Sequence, residues 1–151
     1  MPWIITFITA WILFILLIDK SNLRAMFGGF SAAFMSTLTD YAGHNWFDLY
    51  RFHDVVIPWG GCSFFYIFGI IFTMGTLFSQ FYPRKKWLRI MHVLIFSLIF
   101  LGSETLLVQV GVATYVNWNV WASLFINILA ISTLAWITEV FQLNMKKSTV
   151  F

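Results

Sequence analysis

Long apolar runs alternate with short polar connections along this chain of 151 residues. A membrane-spanning helix needs about 20 mostly apolar residues, with a tolerated range of about 17 to 25. Five segments meet this requirement and predict five spans: 2–18, 25–43, 55–81, 90–110 and 119–141. The third begins with the sequence PWGGC, so its first turn is expected to be irregular or interfacial. The pattern predicts an all-α fold, with one bundle of five transmembrane helices as a single domain over residues 1–151.

The composition agrees with a membrane location. Apolar residues make up 60% of the chain and charged residues only 10%, whereas a soluble domain carries about 25% charged residues. Most of the surface is therefore expected to face lipid. The excess of nine basic over six acidic residues does not indicate nucleic acid binding, because the basic residues cluster at the ends of apolar runs.

Basic residues divide unequally between the two sides of the predicted bundle. Arg51 lies in the connection between the second and third spans, on one side. The other eight follow the first, third or fifth span: Lys20, Arg24, Arg84, Lys85, Lys86, Arg89, Lys146 and Lys147. Because Lys and Arg collect in cytoplasmic connections, the pattern predicts a multi-pass protein of the bacterial plasma membrane, with its N-terminus outside and its C-terminus inside.

Six tryptophans lie near predicted helix ends, which is typical of interfacial anchoring in an aromatic belt. They are Trp3, Trp46, Trp59, Trp87, Trp118 and Trp121.

Small residues repeat every four positions between Ala25 and Ser36. They form two neighbouring rows, Ala25, Gly29, Ala33 and Gly28, Ala32, Ser36. Rows of this kind let another backbone approach closely. We call this surface the small-residue seam. Its partner is either a helix of the same chain, a second copy in a homo-oligomer, or another membrane protein, and the sequence leaves these alternatives open.

Glu104 is the clearest candidate for chemistry within a span, because a charge in hydrocarbon is costly. In the predicted fourth helix it lies about 9 Å below the outer end. We expect it to face the bundle interior, either paired or protonated. It is either a proton or cation site or a structural hydrogen-bonding group. On the fifth helix, Asn119, Ser123 and Asn127 are spaced for hydrogen bonds across a helix interface.

A polar stretch, Thr39–Asp54, connects the second and third spans. On a helical wheel at about 100° per residue, five polar residues share one arc: Asp40, His44, Asp48, Arg51 and Asp54. This pattern predicts that the second helix continues outward or that an interfacial amphipathic helix follows it.

Within this arc, Asp40, His44 and Asp48 are spaced at i, i+4 and i+8. Carboxylates and neutral imidazole suit several divalent metals, so these three are candidate metal ligands. The alternative is an ion pair between Asp48 and Arg51, with the other groups solvated.

Several cofactors are excluded. No lysine lies within a predicted span, so a retinal Schiff base has no attachment point. His44 and His92 are expected at opposite membrane faces, which excludes a bis-histidine haem. The sequence contains no P-loop, so it gives no indication of a bound nucleotide. The cofactor is therefore unknown, with a divalent cation as the candidate.

Two stretches carry a resemblance to a known family. They are RKKWLRIMHVLIFSLIF and ETLLVQVGVATYVNWNVWASLFIN, in which an intramembrane acid is followed by a Trp-Asn-Val-Trp turn into the last helix. About a third of the chain resembles a family of small, uncharacterised five-helix integral membrane proteins of spore-forming Firmicutes. The resemblance implies a Gram-positive plasma membrane and indicates nothing about catalysis.

The candidate site residues fall within one depth band on the outer side. They are Asp40, His44, Asp48, Arg51, Glu104, Asn117 and Asn119. The first interpretation is an outward-facing polar pocket that binds a cation, proton or polar ligand in a transport-related, sensory or accessory subunit. The second is a membrane enzyme that acts on lipid or isoprenoid head groups at the outer face. The third is a purely structural membrane subunit. The sequence assigns no catalytic residue.

Overall fold

The computed structural model describes residues 2–145, and helices form most of this part of the chain. The five α-helices are α1 (Pro2–Leu17), α2 (Met26–Asn45), α3 (Phe72–Gln80), α4 (Lys86–Gln109) and α5 (Val120–Val140). A 3-10 turn, Leu23–Ala25, precedes α2, and a π-helical segment, Tyr66–Ile71, leads into α3. The four short strands are β1 (Tyr50–Phe52), β2 (Pro58–Trp59), β3 (Cys62–Ser63) and β4 (Ala113–Tyr115). The predicted all-α class with five helices is confirmed.

Within the described residues, α4 and α5 are the helices that are long and apolar enough to cross a membrane. Two further apolar helices, Pro2–Leu17 and Tyr66–Gln80, are shorter. On α1, seven aliphatic side chains are more than half exposed: Ile5, Ile8, Ile12, Leu13, Ile15, Leu16 and Leu17. Soluble monomers rarely expose a continuous apolar surface of this kind.

The central helix is α3, because nearly all of its residues are buried. Its hydroxyl groups are hydrogen-bonded despite their burial. Thr76 donates to the carbonyl oxygen of Phe72 at 2.9 Å, and the hydroxyls of Ser79 and Thr138 lie 2.9 Å apart. α2 packs along α3, while α1 packs along the π-helical segment and α5 contacts both α2 and α3.

The small-residue seam of α2 packs directly against α3 of the same chain. A Cβ atom added to Gly29 would lie 2.6 Å from the carbonyl oxygen of Phe72, and one added to Gly75 would lie 2.6 Å from the Cβ of Ala32. The two backbones therefore meet with no room for a larger side chain. Of the three alternatives for the partner of the seam, a helix of the same chain is the one present in the structure. Within the chain, Ala25, Gly28, Gly29, Ala32 and Ala33 are buried, and Ser36 is half-buried.

Consecutive helices run in opposite directions, so the bundle has two different ends. At one end, β1 pairs antiparallel with β4, and Trp3 Nε1 donates to the carbonyl oxygen of His53 at 2.9 Å. We call this the sheet end. It joins the start of α1, the α2–α3 connection and the α4–α5 connection.

The opposite end carries most of the positive charge, and we call it the basic end. Here the backbone nitrogen of Asp19 donates to Gln80 Oε1 at 2.8 Å, and Asn22 Nδ2 donates to the carbonyl oxygen of Leu143 at 2.9 Å. Six basic residues of the described part lie in its connections or in the first turn of α4: Lys20, Arg24, Arg84, Lys85, Lys86 and Arg89. Arg51 belongs to the sheet end. Lys146 and Lys147, which the sequence assigns to the same side as the six, lie outside the described residues.

The prediction of a helix through Thr39–Asp54 is wrong beyond Asn45, where α2 ends. Asp48 and Asp54 have positive φ angles of 46° and 52°, which interrupt regular structure. Between them β1 pairs with β4, and Tyr50 lies opposite Tyr115. A wheel drawn from the local sequence cannot represent a backbone that pairs with a distant strand.

The third predicted span also begins later than its apolar run. β2 and β3 form a short hairpin, in which Gly60 and Gly61 have φ angles of 55° and 86°. Two consecutive positive φ angles fit a two-residue hairpin turn, and glycine adopts them without strain. The irregular start predicted from Pro58, Gly60 and Gly61 therefore extends through Ser63.

Candidate functional site

A cavity of about 140 Å³ lies between α2, α4 and α5 and is bounded at the sheet end by β1 and β4. Its walls are mainly apolar and aromatic, and they include Phe52, Tyr66 and Phe100. An engineered protein cavity of about 150 Å³ holds benzene. The cavity is therefore large enough for several waters or for one small organic molecule.

Asp40 reaches this cavity from the C-terminal half of α2. Its Oδ1 accepts a hydrogen bond from the hydroxyl of Tyr50 at 2.8 Å, and its Oδ2 accepts one from the hydroxyl of Ser36 at 3.1 Å. Ser36 lies one helical turn earlier, on the same face of α2. The carboxyl group is thus held between its own helix and β1.

Glu104 reaches the same cavity from α4. Its Oε1 accepts hydrogen bonds from the hydroxyls of Tyr115 at 2.8 Å and Ser123 at 2.6 Å. The Ser123 hydroxyl in turn accepts a hydrogen bond from Trp118 Nε1 at 2.6 Å. Glu104 Oε2 receives no hydrogen bond from the residues that the structure describes, so one acceptor atom is left for a ligand. The bond from Ser123 crosses the α4–α5 interface, as the spacing of polar residues on the fifth helix indicated.

The two tyrosines come from opposite strands. Tyr50 and Tyr115 are direct partners in the β1–β4 pairing, so their side chains lie on one face of the sheet. Burial, followed by the negative charge of Asp40, raises the pKa of Tyr50. Burial and the hydrogen bond to Glu104 raise the pKa of Tyr115 to about 12. Both phenols therefore stay protonated at neutral pH and donate to the carboxyl groups.

Asn127 adds a hydrogen-bond donor to the cavity wall. Its Nδ2 is buried and has no partner within the described residues. An unpaired buried donor costs about 1–3 kcal/mol. A water or a ligand acceptor in the cavity would remove this cost. The cavity therefore presents a donor on α5 and carboxyl acceptors on α2 and α4.

Of the predicted site residues, the structure brings Asp40 and Glu104 to one cavity. His44 does not line it, although its Nδ1 lies 3.3 Å from the carbonyl oxygen of Tyr50. His44 therefore contacts the strand that carries Tyr50 from outside the cavity.

The remaining predicted residues stabilise the connections at the sheet end. Asp48 and Arg51 form an exposed ion pair at 3.0 Å, and its hydrogen bonds hold the pKa of Asp48 below the usual value. Asn117 Nδ2 donates to the carbonyl oxygen of Asp48 at 3.2 Å. The side chain of Asn119 caps α5 by accepting a hydrogen bond from the backbone nitrogen of Ala122. These four side chains do not line the cavity.

The structure does not bring Asp40, His44 and Asp48 to one point, as a shared metal ion would require. No group of three His, Cys, Asp or Glu side chains between residues 2 and 145 is placed to hold a metal ion. The spacing of the three would converge only on an intact helix, and α2 ends at Asn45. Asp40 instead faces the cavity, while Asp48 pairs with Arg51.

Sequence reasoning missed Tyr50 and Tyr115, which supply the main donors to the two carboxyl groups. The available signal in the sequence is the alternation of aromatic and charged residues in Tyr50, Arg51 and Phe52. Such alternation is typical of a strand. Strands of three residues give a weak signal, and no local feature identifies the partner strand.

The raised pKa values of Tyr50 and Tyr115 predict a loss of stability in alkaline solution. Unfolded tyrosines release their protons near pH 10, whereas Tyr50 and Tyr115 retain them to higher pH when folded. The folded state then binds more protons than the unfolded state, so stability falls as the pH rises from about 10 toward 12. Thermal denaturation of purified protein between pH 8 and 11.5 should show this slope. Tyr115→Phe should reduce it, and Tyr41→Phe, at an exposed position outside the cavity, should not. An unchanged slope in Tyr115→Phe would contradict the prediction.

The chemistry of the cavity favours a ligand that both donates and accepts hydrogen bonds. Asp40 and Glu104 attract positive charge or donors, Asn127 Nδ2 offers a hydrogen, and the aromatic walls suit the apolar part of a small molecule. Comparison of the chain with protein-family models, with curated proteins and with solved structures found no match.

Proposed function

We propose that the protein is an integral protein of the bacterial plasma membrane that crosses the bilayer five times, with its N-terminus outside. Two helices, α4 and α5, are long and apolar enough to cross a membrane. The exposed aliphatic side chains of α1 support lipid contact for a shorter helix as well. The separation of Arg51 from six basic residues at the basic end supports an orientation with that end in the cytoplasm.

We further propose that the cavity at the sheet end binds a small cationic or protonated ligand from outside the cell. One observation carries this proposal: carboxyl groups from two different helices, Asp40 and Glu104, line the same small cavity. Two acids in a mainly apolar space need a counter-charge or a proton. The unpaired donor of Asn127 favours a ligand that also carries an acceptor. Such a binding site fits a transport-related, sensory or accessory subunit.

The alternative of an enzyme acting on lipid or isoprenoid head groups receives less support. Phosphoryl groups are commonly held by arginine or lysine. The cavity has no basic side chain within its described lining, and Arg51 pairs with Asp48 on the surface. We therefore place the ligand-binding function first.

Isosteric variants of the two acids test the proposal. Purified protein would be titrated with ammonium, methylammonium, ethanolamine and guanidinium chlorides at constant ionic strength, and the melting temperature measured. We expect at least one of these cations to stabilise the wild type. Asp40→Asn and Glu104→Gln should weaken its binding at least about tenfold, because each replaces a carboxyl group that lines the cavity with a neutral amide. Asp48→Asn removes an acid outside the cavity and should bind like the wild type.

The same measurements separate binding from a structural role. The amide oxygen introduced by Glu104→Gln would still accept hydrogen bonds from Tyr115 and Ser123, so the melting temperature without ligand should stay near that of the wild type. A large loss of stability in both variants, with no cation stabilising the wild type, would support a purely structural role for the acids. Equal weakening by Asp48→Asn would show that binding occurs outside the cavity.

A further inference from the structure

A second concave surface lies between α4 and α5 at the basic end. It is an open groove of about 630 Å³, and we call it the α4–α5 groove. Tyr82, Arg84 and Lys86 line its mouth, together with Arg89 and Glu139. Aliphatic and aromatic side chains line the rest, together with Ser132. The groove is at the opposite end of the bundle from the cavity that holds Asp40 and Glu104.

The mouth of the groove has excess positive charge. Arg89 and Glu139 form an ion pair at 2.9 Å, and the Tyr82 hydroxyl donates to the same Glu139 oxygen at 2.6 Å. These contacts neutralise Arg89. Arg84 and Lys86 are exposed and have no ion pair with a carboxylate of the described residues. Three cations and one carboxylate line the groove, which leaves two positive charges for an anion.

The interior of the groove is apolar and extends along both helices. Ile90, Val93 and Leu94 follow helical spacing on α4, and Ile128 and Trp136 face them from α5. Glu139 lies eleven positions after Ile128 on α5, which corresponds to about 16 Å along the helix axis. Trp136 is 63% exposed although it borders the groove. An elongated apolar chain can therefore lie against the groove with its charged end at the mouth.

We propose that the α4–α5 groove binds one anionic phospholipid of the inner leaflet. Arg84 and Lys86 would hold the phosphate, and an acyl chain would lie along Ile90, Leu94 and Trp136. Charge complementarity and the apolar continuation of the groove together indicate this occupant, because basic pockets between membrane helices on the cytoplasmic side suit anionic head groups. The inference rests on the proposed membrane location and orientation, and it does not depend on the ligand of the outer cavity.

Charge variants test the head-group contact. Detergent-solubilised protein would be titrated with phosphatidylglycerol or phosphatidylcholine, and bound lipid counted by native mass spectrometry. We expect one tightly bound phosphatidylglycerol. Arg84→Gln with Lys86→Gln should weaken its binding about 30-fold, since each cation near an anionic lipid contributes roughly fivefold. The matched control, Lys20→Gln with Lys85→Gln, removes two charges from the same end outside the groove and should bind like the wild type.

A second pair of variants tests the acyl-chain contact without changing charge. Ser132 is exposed and lines the groove, whereas its neighbour Thr133 is exposed and does not. Ser132→Phe should fill the groove and weaken phosphatidylglycerol binding at least about tenfold, because an acyl chain would lose its apolar contacts. Thr133→Phe should leave the affinity near that of the wild type. Inorganic phosphate at millimolar concentration should not displace the lipid.

Several outcomes would overturn the lipid proposal. The first is an equal affinity of all variants for phosphatidylglycerol. The second is displacement of the lipid by inorganic phosphate, together with no effect of Ser132→Phe. The third is a second protein copy in place of lipid in the mass spectrum. Alkaline extraction of membranes shows whether the lipid proposal alone fails or whether the proposed membrane location fails with it. Protein that stays in the membrane but shows no groove-dependent lipid binding contradicts the groove alone. Protein released by extraction contradicts the membrane location and the groove together.

Discussion

Replacement of Trp3 by alanine is expected to lower the free energy of unfolding by about 3–5 kcal/mol, the usual cost of removing a large buried aromatic side chain. Trp3 is fully buried at the start of α1 and packs edge-on against Phe52 and Tyr66. Its indole also donates to the carbonyl oxygen of His53, which would lose its partner. Reversible denaturation of the purified protein in detergent measures the change. Trp3→Phe keeps most of the apolar contact and should cost less.

Trp121 provides a control of the same residue type. It is 79% exposed at the start of α5, so Trp121→Ala should change the free energy of unfolding by no more than about 0.5 kcal/mol. A similar loss in Trp3→Ala and Trp121→Ala would contradict a core role for Trp3. The sequence pattern predicted that both tryptophans anchor the protein at a membrane surface. For Trp3 this prediction is wrong, because β1 and the π-helical segment enclose its side chain.

Replacement of Gly29 by alanine is expected to destabilise the protein by about 2 kcal/mol, although alanine is the better helix former. The added Cβ would lie 2.6 Å from the carbonyl oxygen of Phe72 and would also collide with the Thr76 hydroxyl. A backbone atom in the middle of a packed bundle cannot move away, and overpacking typically costs about 1–3 kcal/mol. The gain from helix propensity, about 0.5–1 kcal/mol, offsets part of this cost. Chemical denaturation, together with the hydrodynamic size of the native protein, would measure the result.

Gly102 is the matched control on α4, since a Cβ added there meets no atom within 4 Å. Gly102→Ala should raise the free energy of unfolding by about 0.5–1 kcal/mol. If Gly29→Ala split an oligomer into stable monomers instead of destabilising the fold, the seam would join copies of the chain, contrary to the packing of α2 on α3.

The helices could be predicted largely from apolar runs, because length and hydropathy are local properties of the sequence. Predicted segments 2–18, 90–110 and 119–141 agree closely with α1, α4 and α5. The run 55–81 contains both a hairpin and a helix, since apolar residues suit either structure and only Pro58, Gly60 and Gly61 indicate the difference. The segment after Asn45 could not be predicted, because its conformation depends on pairing with Ala113–Tyr115.

Only part of the candidate site could be predicted from the sequence. The sequence identifies Glu104 because an acid within an apolar run is costly and needs a partner, and it identifies Asp40 through the polar arc on the helical wheel. The helical wheel groups His44 and Asp48 with Asp40 only if the helix is intact, and the end of α2 at Asn45 removes that geometry. Tyr50 is paired with Asp40 only through the position of β1, which the sequence around it does not determine.

The pairing of β1 with β4 also sets an order for events during synthesis. Tyr50–Phe52 is made before α4 and α5 exist, so it has no partner strand until Ala113–Tyr115 has followed and reached the same side. Contacts between distant parts of a chain form late in folding. A nascent protein that ends after α3 would contain Asp40 but neither Glu104 nor the α5 wall. The cavity that holds Asp40 and Glu104 is therefore assembled only when α4 and α5 are in place, and a protein with an incomplete bundle lacks it.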